Sequence, residues 1–216
     1  MSELEKQELN RQVLIRLIKA IIDQEELKVI SQIISMDPHL LARVLKYVNS
    51  PYFGLRREIT SVEHAVAYLG YKKLKEFAFI LLTTSVLQNK PREEVKKVLQ
   101  FAYLMKFLAR KLYPKYEDEA FMVGLFEPIR EELGDELKEI LIKAGVSDIV
   151  IEGLYNQRSA LGKLKSIVAK LLPLCKKFIE GEIEEIPVKT PENLKSAVVK
   201  SCIDSENVTN QILELL

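Results

Sequence analysis

Apolar residues recur at steps of three and four along most of this 216-residue chain. In the first segment Leu14, Leu17, Ile18 and Ile21 follow this spacing, which places them on one stripe of an α-helix. The strict alternation of apolar and polar residues that marks a half-buried strand is hard to find. The pattern therefore predicts an all-α fold whose helices are separated by proline and glycine breaks.

Local signals place several helix boundaries. Asp37-Pro38 predicts a helix start, because the Asp carboxylate can accept from unpaired backbone N–H groups and Pro fits the first helical position. A short helix is expected to end at Gly70. The segment 89–91, Asn-Lys-Pro, separates two long helices. We expect one two-lobed domain over residues 1–216, with an N-terminal helical lobe over about 1–88 and a second lobe over about 91–216.

Charge and composition exclude several classes of protein. Lys and Arg total 32 against 31 Asp and Glu, so the basic excess typical of nucleic-acid binding is missing. The charged N-terminus has no signal-peptide core, and no apolar run approaches the ~20 residues of a membrane span. We therefore expect a cytoplasmic protein that does not contact membranes. A Lys-rich and Glu-rich composition is also typical of proteins from hot environments, so a thermophilic source is compatible with it.

Residues that could carry catalysis are few. The two histidines, His39 and His64, each lie near a predicted helix start, without a second ligand or a paired nucleophile. Cys175 and Cys202 lie in apolar helical contexts without CxxC spacing, which favours buried structural thiols over a disulfide. Nucleophile-elbow, phosphate-loop and zinc-helix motifs do not occur. Nothing in these residues indicates catalysis, and we expect no enzyme activity, no catalytic residue, no bound metal and no cofactor.

Residues 33–82 contain an ordered series of short motifs that resembles the HDOD family, a group of bacterial signalling output modules related to HD-domain phosphohydrolases. The motif residues are Asp37, Pro38, Leu41, Ala42, Val48, Asn49, Ser50, Tyr52, Phe53, Gly54, Ile59, Ser61, His64, Ala65, Leu69 and Gly70. Residues 95–180 resemble the HD-like half of that family more loosely. The resemblance implies an HD-domain-like two-lobed helical bundle that acts in bacterial signal transduction.

The segment Asn49 to Gly54 has a physical interpretation of its own. Asn49 and Ser50 end a helix, where the short Asn side chain can bind backbone groups. Gly54 is expected to adopt a turn conformation that a side chain would hinder. Tyr52 and Phe53 are expected to fill the seam between helices as a buried corner. The alternative is an exposed aromatic patch that anchors a partner.

In the second half, the resemblance implies a lost metal site. The segment that matches the His-Asp pair of HD hydrolases has Glu127-Pro128 in its place, and proline cannot bind a metal. The upstream His falls at Phe101, and the later one falls near Gln157 and Arg158. Such a set offers one carboxylate, too few ligands for a catalytic divalent ion.

Three functional classes remain open at this stage. The first is a non-catalytic regulatory module that binds protein partners, which the resemblance favours. The second is a residual phosphohydrolase or nucleotide-binding protein that uses Glu127, Arg130, Gln157 and Arg158. The third is a helix-turn-helix nucleic-acid binder, indicated only by the basic runs 56–57 and 72–75. The sequence identifies neither the partner nor any small-molecule ligand.

Overall fold

The computed structural model describes residues 3–87, 89–143, 145–187 and 192–216. Over these residues the chain forms ten α-helices and no strand, which confirms the predicted all-α fold. The helices are α1 Glu3–Ile22, α2 Leu27–Ser35, α3 Pro38–Val48, α4 Val62–Val86, α5 Arg92–Leu112, α6 Glu117–Leu133, α7 Asp135–Lys143, α8 Asp148–Tyr155, α9 Ala160–Ile179 and α10 Glu192–Leu213. Within this part of the chain, none of the helices combines the length and hydrophobicity needed to cross a membrane.

The chain divides into two compact units. Unit 1 contains Met1–Asn89 together with Gln211–Leu216, and unit 2 contains Lys90–Asn210. The end of α10 therefore groups with unit 1, whereas the sequence analysis placed it in the second lobe. One contact that holds it there is the ammonium of Lys46 in α3, which donates to the carbonyl of Glu214 at 2.6 Å. That both units form a single domain stays a prediction.

Unit 1 is organised around α4, which packs against α1, α2 and α3. The apolar stripe expected in α1 is buried in this core, because Leu17, Ile18 and Ile21 are almost fully removed from solvent. Burial of such side chains is the main favourable contribution to helix packing. The largest other side chains buried there are Ile30, Ile33, Ile34, Tyr47, Leu74, Phe77 and Phe79.

The predicted boundaries in unit 1 are confirmed both at Asp37 and at Gly70. The Asp37 carboxylate caps α3 by accepting from the backbone N–H groups of His39 at 2.8 Å and Leu40 at 3.3 Å, with Pro38 in the first turn. Gly70 ends the short first helix of α4, as predicted. Its φ of 61° and ψ of 175° interrupt the helical backbone for one residue, and α4 then continues to Val86. The glycine therefore forms a kink between two halves of α4.

Unit 2 is built on the pairing of α5 with α6. Helix α9 also packs against α5, and α8 contacts both α6 and α9. Gly124 of α6 faces α5 so closely that a Cβ there would lie 2.6 Å from the Cα of Ala102. The missing side chain lets the two helices approach at the turn that precedes Glu127.

The prediction of two structural thiols was wrong. Cys175 of α9 and Cys202 of α10 form a disulfide across a sequence separation of 27 residues, and both are buried. The sequence placed each cysteine on an apolar face but could not show that the two faces meet. The disulfide links α9 covalently to α10 within unit 2.

Candidate functional site

The motif residues of the first half form one corner between α3 and α4. After α3 ends at Val48, Pro51–Phe53 make a single 3-10 turn, and the chain returns to α4 through Ile59. Ser50 precedes the turn and is buried, although its side chain does not cap it. Gly54 ends the turn at a φ of 58°, a left-handed conformation, which confirms the expectation that it adopts a turn conformation that a side chain would hinder.

Asn49 closes this corner through its side-chain amide. Its nitrogen donates to the carbonyl of Ile59 at 2.8 Å, and its oxygen accepts from the Ile59 N–H at 2.8 Å. The same nitrogen also donates to the carbonyl of Leu45 in α3 at 2.9 Å. The segment from Ser50 to Glu58 is therefore closed at its base by one side chain, and we call it the clamped loop.

The aromatic side chains of the corner form a continuous cluster. Tyr47 is fully buried and stacks on Phe77 with ring centroids 4.1 Å apart and planes 3° from parallel. Phe53 packs edge-on against Tyr47 at 5.0 Å, against Tyr52 at 4.9 Å and against Tyr68 at 6.0 Å. Such edge-to-face pairs stabilise by about 0.5–1.5 kcal/mol beyond their buried area.

This cluster is buried at its base and exposed at its edge. Tyr52 and Phe53 are half-buried, and the side chain of Tyr68 is 49% exposed. Tyr52 and Phe53 are therefore less buried than predicted, because Tyr47 and Phe77 fill the space between the helices beneath Phe53. We call Tyr52, Phe53 and Tyr68 the aromatic edge.

A charged pair fixes the position of Tyr52. The Lys73 ammonium donates to the Tyr52 hydroxyl at 2.7 Å, lies 4.8 Å from its ring centroid and is 3.4 Å from a carboxylate oxygen of the buried Glu76. Burial by itself lowers the pKa of Lys73, but Glu76 and Tyr52 outweigh it, so that the pKa is raised and the ammonium stays charged. Burial, followed by the Glu76 charge, raises the pKa of the Tyr47 hydroxyl well above its usual value.

Leu69 and Gly70 complete the motif on α4. Leu69 is buried in unit 1, and the kink at Gly70 separates the first turns of α4, which hold Tyr68, from the later turns. Those later turns contain Lys73 and Phe77. Both halves of α4 therefore contribute to the same aromatic cluster.

The positions that match the HD metal site lie on separate elements of unit 2. Phe101 is a half-buried residue of α5, Pro128 lies inside α6, and Gln157 is exposed in the connection between α8 and α9. Arg158 is also exposed, and its backbone N–H donates to the Asn156 side chain at 2.9 Å. Glu127 is the one of these residues that enters a charged cluster.

Both carboxylate oxygens of Glu127 are held by cations. Arg130 donates to them at 2.8 and 2.9 Å, and the Lys165 ammonium donates to Oε2 at 2.8 Å. Lys165 is only 7% exposed and also donates to the Leu154 carbonyl at 2.7 Å. Burial raises the pKa of Glu127, but the hydrogen bonds and charges of Arg130 and Lys165 outweigh it, and the pKa is lowered.

This donor set does not fit a catalytic divalent ion. A metal at Glu127 would have to displace two hydrogen-bonded cations, and neither Phe101 nor Pro128 offers a side-chain donor atom. Across the described ranges, no three His, Cys, Asp or Glu side chains gather where they could hold a metal ion. The cluster of Glu127, Arg130 and Lys165 instead joins α6 to α9 by ion pairs.

The sequence analysis overlooked Lys165 and considered Lys73 only as part of the basic run 72–75. Lys165 lies on the same stripe of α9 as Leu161, Leu164 and Val168, at the three- and four-residue spacing of a buried face. A lysine in that register indicates a paired buried charge, because an unpaired one would be costly. This signal was present in the sequence and would have singled out Lys165 as a partner for a carboxylate.

Comparison with known proteins places the corner in a recognised domain. The HDOD domain model matches residues 10–132, more than half of the chain. The uncharacterized protein YuxH of Bacillus subtilis (strain 168) is 26% identical over 149 residues, which cover 68% of this chain and 36% of YuxH. The cyclic di-GMP phosphodiesterase CdgJ of Vibrio cholerae serotype O1 is 24% identical over 136 residues, which cover 62% of this chain and 32% of CdgJ.

The chain matches only about a third of the length of each of these two relatives. No solved structure matches the chain. The match to the domain model includes the whole clamped loop, the aromatic edge and Glu127.

Proposed function

This chain belongs to the HDOD family, and we propose that it is a non-catalytic regulatory module of bacterial signal transduction that acts by binding another protein. The observation that carries this proposal is the aromatic edge, which presents Tyr52, Phe53 and Tyr68 on a buried stack of Tyr47 and Phe77. Aromatic side chains fixed at a surface are typical anchors of protein interfaces. The proposed location of the protein is the cytoplasm.

The kinship with CdgJ supports a role in signalling. CdgJ is named a cyclic di-GMP phosphodiesterase, and the region shared with this chain makes up a third of it. We propose that the shared region is a regulatory part and that this chain regulates a signalling protein in a comparable way. The Glu127 cluster supports the absence of catalysis, because its carboxylate is engaged by Arg130 and Lys165.

Site-specific photocrosslinking tests the proposed protein interaction. A photoreactive phenylalanine analogue replaces Tyr68 in the full chain, which is expressed in its native cell and irradiated. Ile142 of α7, which is 56% exposed, is the matched control position. We expect one defined protein to be captured at position 68 and not at position 142. Equal or no capture at the two positions would overturn the proposal.

A hydrolysis assay tests the absence of catalysis. The purified protein is incubated with cyclic di-GMP and with bis(p-nitrophenyl) phosphate in the presence of Mn²⁺, Mg²⁺ or Fe²⁺. We expect neither turnover nor a rise in melting temperature, since an ion stabilises a protein only by binding its folded state. Turnover that disappears in Glu127→Gln would favour the alternative, a residual phosphohydrolase.

A further inference from the structure

The clamped loop, which contains Tyr52 and Phe53 of the aromatic edge, also carries two cations. Arg56 and Arg57 follow Gly54 and are exposed, and no carboxylate among the described residues pairs with either of them. The ammonium of Lys73, by contrast, is already engaged by Glu76 and Tyr52. The positive charge available to a partner at this loop therefore comes from the two arginines.

Hydrogen bonds hold the base of the loop and the Tyr52 side chain in a preformed arrangement. Asn49 fixes both backbone polar atoms of Ile59 at the base of the loop, and Lys73 fixes the hydroxyl of Tyr52. Groups that are ordered before association lose less conformational entropy when a partner binds. A compact loop whose ends are held together in this way is a common location for recognition.

We infer that the clamped loop and the aromatic edge bind an acidic segment of a partner protein, with carboxylates on Arg56 and Arg57 and one apolar side chain against Phe53 and Tyr68. This inference rests on the proposed function and names the chemistry of the partner. Arginine suits the task because its planar guanidinium donates two parallel hydrogen bonds to one carboxylate. Together with tryptophan, tyrosine and arginine are the residues most enriched among energetically dominant interface contacts.

The charges around the two arginines favour a protein segment over a nucleic acid as the binding partner. Glu58 lies directly after the two arginines and is exposed, and Glu63 is exposed at the start of α4. A nucleic-acid backbone carries a charge at every phosphate and would meet these carboxylates, whereas a peptide can place its few acidic side chains on the arginines alone. The net charge of +1 for the whole chain points the same way.

The test selects a partner peptide without assuming its sequence. A phage-displayed library of random peptides is panned on the full chain, and the enriched peptides are synthesised with a fluorescent label for anisotropy measurements of Kd. We expect enriched peptides to combine Asp or Glu with an aromatic or branched aliphatic residue. Their affinity should fall as salt concentration rises, because the arginine contacts are screened.

Matched variants locate the binding surface. Arg56→Glu and Arg57→Glu should each raise Kd at least about tenfold, because each replaces attraction by repulsion. Arg43→Glu makes the same charge change at another exposed arginine of unit 1 and should leave Kd within about twofold. Tyr68→Ala should raise Kd without changing the circular-dichroism spectrum, since the ring is half exposed.

Several outcomes would overturn the inference. These are enrichment of neutral or basic peptides, no enrichment at all, or a Kd that is insensitive to both arginine variants. Tight binding of a single-stranded oligonucleotide that is lost in the same variants would assign the surface to nucleic acid instead. Capture of a protein at position 68 without binding of acidic peptides would overturn only the inference that the partner segment is acidic. Failure of the crosslinking would overturn the proposed function itself.

Discussion

The side chain of Asn49 satisfies both backbone polar atoms of Ile59, donating to the carbonyl and accepting from the N–H at 2.8 Å each. The two residues are ten positions apart and bracket the clamped loop. This single amide side chain thus donates one hydrogen bond and accepts another, as the backbone of one residue does with its paired partner across a β-hairpin. The arrangement requires both a donor and an acceptor on the same side chain, which asparagine supplies.

Replacement of Asn49 should therefore weaken unit 1. Asn49→Ala removes the three side-chain hydrogen bonds to Leu45 and Ile59, and we expect the free energy of unfolding to fall by about 2–3 kcal/mol. Asn49→Asp keeps the acceptor but loses the donors, so it should also destabilise. Urea unfolding measures both variants.

The matched control for this prediction is Asn210→Ala. Asn210 is exposed and donates one hydrogen bond to Glu206, so its loss should change stability by less than about 0.5 kcal/mol. If Asn49→Ala is no more destabilising than Asn210→Ala, the proposed role of Asn49 in closing the loop is wrong.

The features predicted correctly from the sequence depend on residues close together in the chain. The cap at Asp37 involves N–H groups two and three residues ahead. The turn at Gly54 follows from the conformational freedom of one residue. The HDOD resemblance was confirmed for the same reason, since its motif lies in one continuous segment. Local geometry of this kind is determined by neighbouring residues.

The features that were missed depend on which helix faces meet. Lys165 pairs with Glu127 across 38 residues, and Cys175 pairs with Cys202 across 27. Helical periodicity shows that each of these residues lies on a buried face but does not identify the facing helix. The charge of Lys165 could have been assigned a carboxylate partner, whereas the choice of Glu127 required the packing of α6 against α9.

The Glu127 cluster should make stability depend on pH. Because the pKa of Glu127 is lowered in the folded protein, its ion pairs stabilise at pH values above the unfolded pKa of about 4.3. This contribution is lost as pH falls through the lower, folded pKa. At pH 7 we expect Glu127→Gln to cost about 2–4 kcal/mol, because it leaves Lys165 buried without a carboxylate.

Urea unfolding between pH 7 and pH 3 tests this dependence. The difference in unfolding free energy between wild type and Glu127→Gln should be constant down to about pH 5 and should shrink below it. Glu185 is a suitable control, because its pair with Lys195 is solvent-exposed and Glu185→Gln should have little effect at any pH. A difference that stays constant down to pH 3 would contradict the lowered pKa.

The disulfide between Cys175 and Cys202 should stabilise unit 2 substantially. In the chain-entropy model, closing a loop of this length stabilises by about 3–4 kcal/mol. We expect the double replacement by alanine, and the wild type in a reductant, to lose stability by similar amounts. Mass spectrometry after alkylation of the unfolded, unreduced protein should find no modified cysteine. Two alkylated cysteines would show that the bond does not form.

Gly124 should resist substitution despite its position inside a helix. Alanine favours helix over glycine by about 1 kcal/mol, so a change governed by propensity alone would stabilise α6. At this site, however, the new Cβ would lie 2.6 Å from the Cα of Ala102, a backbone atom in the middle of α5. We expect Gly124→Ala to destabilise by about 1–3 kcal/mol, as an overpacked interface does, with a lower melting temperature as the readout.

A second substitution separates this backbone clash from ordinary crowding of side chains. The atom in contact is the Cα of Ala102, which glycine also possesses, so Ala102→Gly should not rescue Gly124→Ala. Met105 is the other close neighbour, with its Cγ 3.1 Å from the built Cβ, and a flexible methionine can move aside. Rescue of the melting temperature by Ala102→Gly, or a stability gain in Gly124→Ala itself, would show that α5 and α6 are not held together as closely as the structure has them.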